Sequence, residues 1–405
     1  MTGRPELEQF VRPPLLHPTG GALGGLLVAD FSRVLAGPYL TMLLGDLGAT
    51  VVKVESPDGD QTRRWGPPWR DGDSTYYLAV NRGKRSVVLD LADDRDRRLA
   101  VTLASHADVL VENMMPGRMA RFGLDYRTLS ALNPGLVYCS LTGFGTQPAA
   151  ASLPGFDLVA QAASGLMSVT GDAAGPATKV GVAVVDVLCG LHATVGILAA
   201  LQARARSGRG QLVEANLMLS ALSALTNQAA GYLAAGVVPS RLGNAHPSVA
   251  PYEVFPVRDG EIVIAAGTDR QFISLCSALG LPQIATDERF ATNSARVSHR
   301  DELREALVQC LRPLLKAEAL HLLHETGIPA GPVNDMAEAF ELARSLGLDA
   351  AWQVDGVPQV RTPFQLNCDP PRPTSGAPAL DGQGTDVREW LASMAELPGV
   401  EAAPD

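Results

Sequence analysis

Short apolar runs alternate with amphipathic segments along the first part of the chain. The runs have the length and the Val, Ile and Leu content of β-strands, and they occur at residues 26–30, 50–55, 85–91, 107–113 and 135–141. Segments such as GPYLTMLLGDLG (37–48) and RDRRLAVTLASH (95–106) separate them and predict helices. This alternation predicts an α/β fold with a parallel sheet wrapped by helices, whose ligands bind at the carboxyl ends of the strands.

Two later stretches, 180–202 and 212–237, are apolar enough to raise the alternative of a membrane span. The first contains Asp186 and His192, and the second contains Glu214, Asn216 and two further polar amides. Such side chains are costly in lipid. We therefore interpret both stretches as helices buried inside a protein, and we expect no membrane partner.

Asp186 is the one carboxylate in the apolar stretch 178–202. An ionised carboxylate among Val, Leu and Ala loses hydration worth several kcal/mol unless another interaction offsets the loss. One interpretation is that Asp186 caps the N-terminus of a helix, which contributes about 1 kcal/mol. Position and residue type alone favour this cap over a role in chemistry.

The pattern changes near residue 240, where two strand candidates joined by a turn precede a helix-rich stretch that ends near 326. A Gly- and Pro-rich connector follows at 327–335, and the remaining chain is less regular. We predict a large α/β domain over 1–225, a smaller α+β domain over 226–330 and a C-terminal segment over 331–405.

Charge and composition exclude several functions. The net charge of -10 argues against nucleic acid as a partner. Five scattered cysteines without a CxxC pair predict reduced thiols in the cytoplasm. The glycines of GGALGG (20–25) precede the first strand instead of following it, which argues against NAD. The histidine pair of HLLHE (321–325) has no third ligand nearby, and we predict no metal site.

Basic residues cluster near two strand ends, in TRRW (62–65) and NRGKRS (81–86). A glycine between Arg and Lys lets the backbone approach a phosphate while the side chains neutralise it. Arg64, Lys84 and Arg85 are therefore candidates for phosphate binding. An exposed turn with ordinary surface charge explains the same pattern equally well.

Eight ordered blocks carry a resemblance to a known family. They include VADFSRVLAGPYLTMLLGDLGATVVKVE, NRGKRSVVLDL, ADVLVENMMPGRMARFGLD, LTGFG, PGFDLVAQAASGLMSVTG, KVGVAVVDVLCGLHA, SGRGQ and GIPAGPVND. From about residue 25 to about residue 390 the chain resembles the family III CoA-transferases. The resemblance implies a large Rossmann-like domain, a small domain and a C-terminal segment that returns to the large domain. It also implies ring-shaped subunits that interlock as a homodimer.

The resemblance implies a chemical role for Asp186, because the acid of the matching block is the nucleophile in the transferases of the family. Its carboxylate attacks a thioester, and the aspartyl anhydride that forms is converted to an aspartyl-CoA thioester. The substrates implied are an acyl-CoA, including dicarboxylic ones such as succinyl-CoA, and small carboxylic acids. We expect backbone N–H groups at the start of the helix to stabilise the oxyanions.

Contacts with coenzyme A carry over block by block. The resemblance places the adenosine end of CoA near Leu35 and Ala36, the phosphates near Arg121, and the pantetheine arm near Phe156. The full set implied is Leu35, Ala36, Leu89, Asp90, Leu91, Asn113, Met114, Met115, Arg121, Phe156, Asp157 and Leu158. Ser56 stands where the family often has an arginine, so Arg64 or Arg85 is expected to replace that contact. Gly384 stands at the place of a family histidine.

Two other functions are weighed against CoA transfer. Racemases of the family act at the α-carbon of an acyl-CoA and resemble this chain, but a histidine stands where this chain has Phe156. A non-catalytic acyl-CoA binder would leave the buried acid without a use. Arg241, Asn244 and His246 in SRLGNAHPS are candidates to meet a second carboxylate on a dicarboxylic substrate, although a turn of the small domain explains them equally well.

Overall fold

The structure is a computed structural model that describes residues 20–395. The ends of the predicted first and last segments, 1–19 and 396–405, lie outside the described residues. The strands are β1 Leu27–Asp30, β2 Thr50–Glu55, β3 Trp69–Arg70, β4 Asp73–Ser74, β5 Lys84–Val88, β6 Val109–Glu112, β7 Val137–Thr142, β8 Leu212–Asn216, β9 Tyr252–Val257, β10 Gly260–Ala265, β11 Ala330–Pro332, β12 Ala351–Val354 and β13 Val357–Val360.

The helices are named in the same way. They are α1 Ala36–Asp46, α2 Thr75–Asn81, α3 Asp94–His106, α4 Tyr126–Leu132, α5 Asp157–Ala163, α6 Leu166–Val169, α7 Val184–Ser207, α8 Leu217–Ala224, α9 Thr226–Ala235, α10 Asp269–Ala278, α11 Pro282–Ala285, α12 Asn293–Ser298, α13 Arg300–Leu311, α14 Lys316–Glu325, α15 Met336–Ser345 and α16 Gly384–Ala395. Short 3₁₀ turns occur at Gln61–Arg64, Met119–Phe122 and Glu288–Phe290.

A six-stranded sheet in the order β5-β2-β1-β6-β7-β8 forms the centre of the first unit, which comprises residues 20–164, 181–229 and 351–395. Every neighbouring pair in this sheet is parallel. The predicted parallel α/β sheet is thus confirmed. One part of the prediction was wrong: residues 212–216 belong to an edge strand and not to a helix, because they pair with β7 along its outer side.

One face of the sheet packs into an apolar core. Side chains from the strands, from α3 and from α16 share this core, which includes Leu27, Val52, Leu103, Trp390 and Leu391. Asp93 caps α3 by accepting hydrogen bonds from the N–H groups of Arg95 and Asp96. The C-terminal helix therefore completes the core that begins with the first strand.

Strands β1, β2 and β5 and the loop after β2 carry charged side chains that are buried, which is unusual for a sheet. Asp30 contacts Lys84, and Lys53 contacts Asp60, at 3.1 and 2.9 Å, and none of these four side chains is exposed. Glu55 accepts a hydrogen bond from the backbone N–H of Asp60 at 2.8 Å, which extends the set. We call Asp30, Lys53, Glu55, Asp60 and Lys84 the buried charge cluster.

The charges of the cluster counteract the effect of burial on one another to different extents. For Lys84 burial prevails and lowers the pKa to about 8 despite Asp30. Burial raises the pKa of Asp30, but Lys84 and Lys53 outweigh that effect and hold the pKa at about 2. Burial lowers the pKa of Lys53, but Asp30, Asp60 and Glu55 raise it above its usual value. Each ion therefore depends on its partners.

The second unit comprises residues 165–180 and 230–350. Its sheet has three antiparallel strands in the order β11-β10-β9. One face packs on α10, α13 and α14 through an apolar core that includes Phe255, Ile264, Phe272, Leu307 and Leu323. This α+β arrangement is the architecture predicted for the smaller part of the chain.

Among the described residues one helix, α7, is long and apolar enough to cross a membrane when judged by length and composition alone. Core helices of soluble proteins pass the same test. Here α7 packs against α1, α8 and the strands β7 and β8.

Replacing Lys53 with Met should lower the free energy of unfolding by about 3–5 kcal/mol, because Asp60 would be left as an uncompensated buried charge. Urea denaturation followed by circular dichroism measures the loss. The matched control is Arg97→Met, which breaks an exposed pair with Asp94 and should cost less than about 1 kcal/mol. A loss below about 1 kcal/mol for Lys53→Met would contradict a cluster that depends on each partner.

Candidate active site

Helix α7 presents Asp186 in its first turn, but Asp186 does not cap the helix. The N-cap position is Ala183, whose side chain makes no capping bond. The N–H groups of Val185 and Asp186 donate instead to Oδ1 of Asp157, at 2.8 and 3.2 Å. The interpretation of Asp186 as a helix cap was therefore wrong, because an acid from α5 performs that role.

The same bonds correct the expected source of oxyanion stabilisation. The N–H groups of Val185 and Asp186 are already used by Asp157, and the N–H of Val187 donates to the carbonyl oxygen of Ala183 at 3.2 Å. Donors for an oxyanion must therefore come from outside the first turn of α7.

Gly190 fixes the position of Asp186 relative to α1. A Cβ atom at this position would lie 2.7 Å from the carbonyl oxygen of Ala36, closer than real Cβ contacts occur. Only glycine therefore lets α7 approach the first turn of α1 this closely. The contact brings Asp186 and Ala36 to the wall of one cavity.

The cavity lies at the carboxyl ends of β1, β6 and β7 and has a volume of about 190 Å³. This is where a parallel sheet binds its ligands. One part of the wall consists of backbone alone: a Cβ on Gly143 would lie 2.4 Å from the Cα of Gly155. The lining residues are Arg33, Ala36, Asn113, Met114, Met115, Pro116, Leu141, Thr142, Gly143, Phe144, Gly145, Ala150, Leu153, Pro154, Gly155, Phe156, Asp186 and Leu217.

The electrostatics of Asp186 differ from those of an ordinary aspartate. Burial, followed by the nearby charge of Asp157, raises the pKa of Asp186 to about 7. Burial and the charge of Asp186 also raise the pKa of Tyr76 to about 12. The ring of Tyr76 meets Trp65 edge to face, with centroids 5.5 Å apart. Asp186 therefore lies in a poorly hydrated setting in which its protonated and ionised forms are nearly balanced at neutral pH.

Several residues that the sequence assigned to CoA meet around this cavity. Ala36, Asn113, Met114, Met115 and Phe156 line it together with Asp186. Arg121 lies in an adjoining recess that Met115 also lines. Leu35 is buried directly before α1, whereas Leu158 on α5 is exposed. Asp157 is near the site, but its carboxylate holds the start of α7.

Other predicted CoA residues lie elsewhere. The ammonium of Lys84 is fully buried and contacts Asp30, so its predicted phosphate contact would require that pair to break. The side chain of Leu89 belongs to the apolar core, and Leu91 packs against the same core. Asp90 is exposed at the turn that follows β5.

Two predicted phosphate ligands differ in their surroundings. Arg64 is exposed at the end of the 3₁₀ turn Gln61–Arg64. Arg85 on β5 is half-buried, and its Nη1 has no hydrogen-bond partner within the described part of the chain. Burial lowers the pKa of Arg85. Arg64 is therefore accessible to a ligand, whereas the unpartnered Nη1 of Arg85 is itself buried.

Sequence reasoning missed Arg33 and Tyr76. Arg33 lines the cavity, and the pKa of Tyr76 responds to Asp186. Arg33 lies in the loop after the first strand. The prediction of a parallel sheet already placed ligands at such loops, so Arg33 could have been found from the sequence. Tyr76 gave no such signal, because its proximity to Asp186 depends on the packing of α2.

Between residues 20 and 395, no group of three or more His, Cys, Asp or Glu side chains is arranged to hold a metal ion. The histidine pair of HLLHE lies on α14, where His324 contacts the carbonyl oxygen of Ala330 and His321 contacts Glu325.

Comparisons with known proteins agree with this architecture. The model of the CoA-transferase family III matches residues 23–385. The succinate–glutarate CoA-transferase of Agrobacterium fabrum is 42% identical over 392 residues, which cover 94% of this chain and 96% of that protein. The acetyl-CoA:oxalate CoA-transferase of Acetobacter aceti is 40% identical, with coverage of 92% and 96%. The human succinyl-CoA:glutarate CoA-transferase is 40% identical, with coverage of 84% and 76%.

Solved structures give the same result. A CAIB/BAIF family protein from Brucella suis superimposes with a TM-score of 0.84 at 41% identity, covering 92% of this chain and all of that one. A Mycobacterium tuberculosis protein superimposes with a TM-score of 0.81 at 30% identity, with coverage of 91% and 99%.

Replacing Asp186 with Asn should stabilise the protein above neutral pH and not below pH 4. The folded state holds the proton of Asp186 up to a pKa of about 7, whereas the unfolded state releases it near 3.8. The native state therefore loses stability as the pH rises from about 4 to about 7, by on the order of 4 kcal/mol. Because Asn cannot ionise, Asp186→Asn should avoid this loss.

Urea denaturation at pH 4 and pH 8 measures the effect. The control is Asp58→Asn, which removes an exposed carboxylate outside the cavity. A stabilisation of Asp186→Asn that is the same at both pH values would show that the raised pKa is not its cause.

Proposed function

Since the chain belongs to CoA-transferase family III, we propose that it moves CoA from a dicarboxylic acyl-CoA, such as succinyl-CoA, to a free carboxylic acid. Relatives that share about two fifths of its sequence are named for succinate, glutarate and mesaconate, although one is named for oxalate. The observation that carries the proposal is the position of Asp186. It is a poorly hydrated carboxylate at the wall of a cavity that predicted CoA residues also line.

The proposed chemistry proceeds through Asp186 in balanced steps. A carboxylate oxygen attacks the thioester carbonyl, the C–S bond breaks, and CoA leaves as a thiolate. The thiolate then attacks the aspartyl carbonyl of the mixed anhydride, which forms aspartyl-CoA thioester and releases the donor acid. The acceptor carboxylate attacks this thioester, the C–S bond breaks, and CoA leaves as a thiolate from a second mixed anhydride. The thiolate attacks the acceptor's acyl carbonyl in that anhydride, and the bond between this carbonyl carbon and the aspartyl oxygen breaks. The products are the new acyl-CoA and free Asp186.

The setting of Asp186 supports this role in two ways. Poor hydration makes the carboxylate a stronger nucleophile and excludes water that would hydrolyse the anhydrides. The pKa of about 7 means that roughly half of the molecules carry the reactive carboxylate at neutral pH.

We propose that CoA follows the line of residues that the resemblance assigns to it. Leu35 and Ala36 lie at the start of α1, Asn113 to Met115 follow β6, and Arg121 lies beside them. Arg64 and Arg85 are the proposed replacements for the arginine absent at Ser56. Leu89, Asp90 and Leu91 remain proposed contacts for CoA, as do Phe156, Asp157 and Leu158.

The active form is proposed to be an interlocked homodimer in the cytoplasm. It would act on acyl-CoA and small acids without nucleic acid, membrane, NAD or metal. The single chain exposes apolar side chains on α7 and α8, including Val195, Leu198, Leu219 and Leu222, which is the kind of surface that a partner subunit covers. We keep the predicted division into a large domain over residues 1–225, a small domain over 226–330 and a C-terminal segment over 331–405 as a proposal.

Asp186→Asn should abolish CoA transfer, lowering kcat by at least about a thousandfold, because an amide cannot form the anhydride. The measurement follows CoA esters by mass spectrometry after incubation with acyl-CoA donors and a panel of free acids. Hydroxylamine trapping with the unmodified protein should label Asp186. Turnover within about tenfold of the unmodified protein would end the assignment of Asp186 as nucleophile.

A 2-methylacyl-CoA in D₂O should gain no α-deuterium above background. Exchange at an α-carbon on both faces needs two acid/base groups. Phe156 stands where the racemases have a histidine, and no histidine is among the described residues that line the cavity. Rapid exchange in the absence of any acceptor acid would favour the racemase alternative.

A further inference from the structure

The cavity that contains Asp186 also contains a cation. Arg33 is the basic residue among the described residues that line it, and Asp186 is the acidic one. Arg33 lies in the loop between β1 and α1. Neither the residues predicted for CoA nor the proposed steps give this side chain a role.

The guanidinium of Arg33 has no carboxylate partner within residues 20–395. Its one side-chain hydrogen bond there runs from Nη2 to the sulfur of Met114 at 3.1 Å. A thioether is a weak acceptor, and a guanidinium carries five N–H donors. By contrast, Arg63 and Arg82 in the same unit pair with Glu55 and Asp46. Arg33 is thus an unneutralised cation with free donors at the wall of a cavity.

The backbone holds Arg33 firmly in this place. Its N–H donates to Oδ1 of Asn113 at 2.9 Å, and Nδ2 of Asn113 donates to its carbonyl oxygen at 2.7 Å. The next residue, Val34, has φ +70°, a strained conformation for a β-branched residue that costs about 1–3 kcal/mol. Asp60 of the buried charge cluster accepts the N–H of Val34. The surroundings therefore impose this loop conformation despite its cost.

The position of Arg33 indicates which anion it meets. Arg33 lines the same cavity as Asp186, whereas Arg121, the residue assigned to the phosphates, lies in an adjoining recess. The diphosphate of CoA lies beyond an extended pantetheine arm, about four peptide-length units or ~14 Å from the thioester. Arg33 and Asp186 line the same cavity, which places this cation near the reacting end of the thioester and favours an anion of the acyl group. Ala36 of the proposed CoA path lines that cavity too, so the affinity for free CoA is measured to separate an acyl carboxylate from a CoA phosphate.

We propose that Arg33 binds the distal carboxylate of a dicarboxylic acyl group and of the acceptor acid. It is thereby the residue that selects dicarboxylic over monocarboxylic acids. The planar guanidinium matches a carboxylate through two parallel hydrogen bonds. The inference rests on the proposed function, because it assumes that the acyl group reacts at Asp186.

The test compares glutarate with pentanoate, which has the same chain length but lacks the second carboxylate. With succinyl-CoA as donor, Arg33→Gln should lower kcat/KM for glutarate by about 10- to 100-fold and leave pentanoate within about threefold. In a ping-pong reaction this constant reports the half-reaction with the acceptor. The dissociation constant of free CoA should stay unchanged. Arg127→Gln removes an exposed arginine of α4 that does not line the cavity, and it should change neither acid.

Calorimetry on the CoA-saturated protein tests Arg33 independently of turnover. The unmodified protein should bind glutarate more tightly than pentanoate, and Arg33→Gln should lose the difference. If glutarate binds no better than pentanoate, the inference is overturned even where transfer is observed. If no acid accepts CoA while the glutarate preference depends on Arg33, the proposed function fails and the assignment of Arg33 stands.

Equal losses for both acids together with weaker CoA binding would make Arg33 a phosphate ligand and overturn the inference, as would an unchanged glutarate preference in Arg33→Gln. If Arg33→Gln does not fold, Arg33→Lys carries the test, since it keeps the charge but loses the paired hydrogen bonds. Its glutarate preference should fall by at least about threefold, and an unchanged preference would count against the assignment.

Discussion

The site depends first on the ion pair between Lys53 and Asp60 inside the sheet unit. Lys53 donates one hydrogen bond to Asp60 and another to the carbonyl oxygen of Ser32. The second bond attaches the loop after β1 to strand β2. Asp60 in turn accepts the N–H of Val34, the residue with the strained conformation. A buried pair of this kind contributes little net stability. Its effect is to hold one conformation of the loop that brings Arg33 and Ala36 to the cavity.

Much of the sheet could be predicted because hydrophobic pattern reports burial directly. The five apolar runs became parallel strands, and the carboxyl ends of three of them, β1, β6 and β7, lie at the cavity. Edge strand β8 was missed because LVEAN continues into the helical sequence of α8, and its pairing with β7 joins residues more than seventy positions apart. The hydrophobic pattern of a few consecutive residues contains no information about a partner strand so distant in the sequence.

Charged residues were harder to place than apolar ones. Lys84 was assigned to a phosphate because a glycine between Arg and Lys lets the backbone approach an anion that the side chains neutralise. Its actual partner, Asp30, is 54 positions away. Asp157 was assigned to the pantetheine arm, which stays a prediction, but the sequence did not show that its carboxylate also holds the start of a helix that begins 27 positions later. In both cases the partner is defined by packing, and a charged side chain gives the same local signal whether it is solvated or paired.

The contact between Gly143 and Gly155 leaves no space for a side chain on either segment. Substitutions at these two glycines therefore cannot adapt the cavity to a new substrate, because any Cβ atom would push the two segments apart. Variation remains open at the side chains around them, chiefly Arg33, Met115 and Phe156. Proteins that share this glycine contact can change the acid that they accept through a few substitutions, while the nucleophile and the glycine contact stay the same.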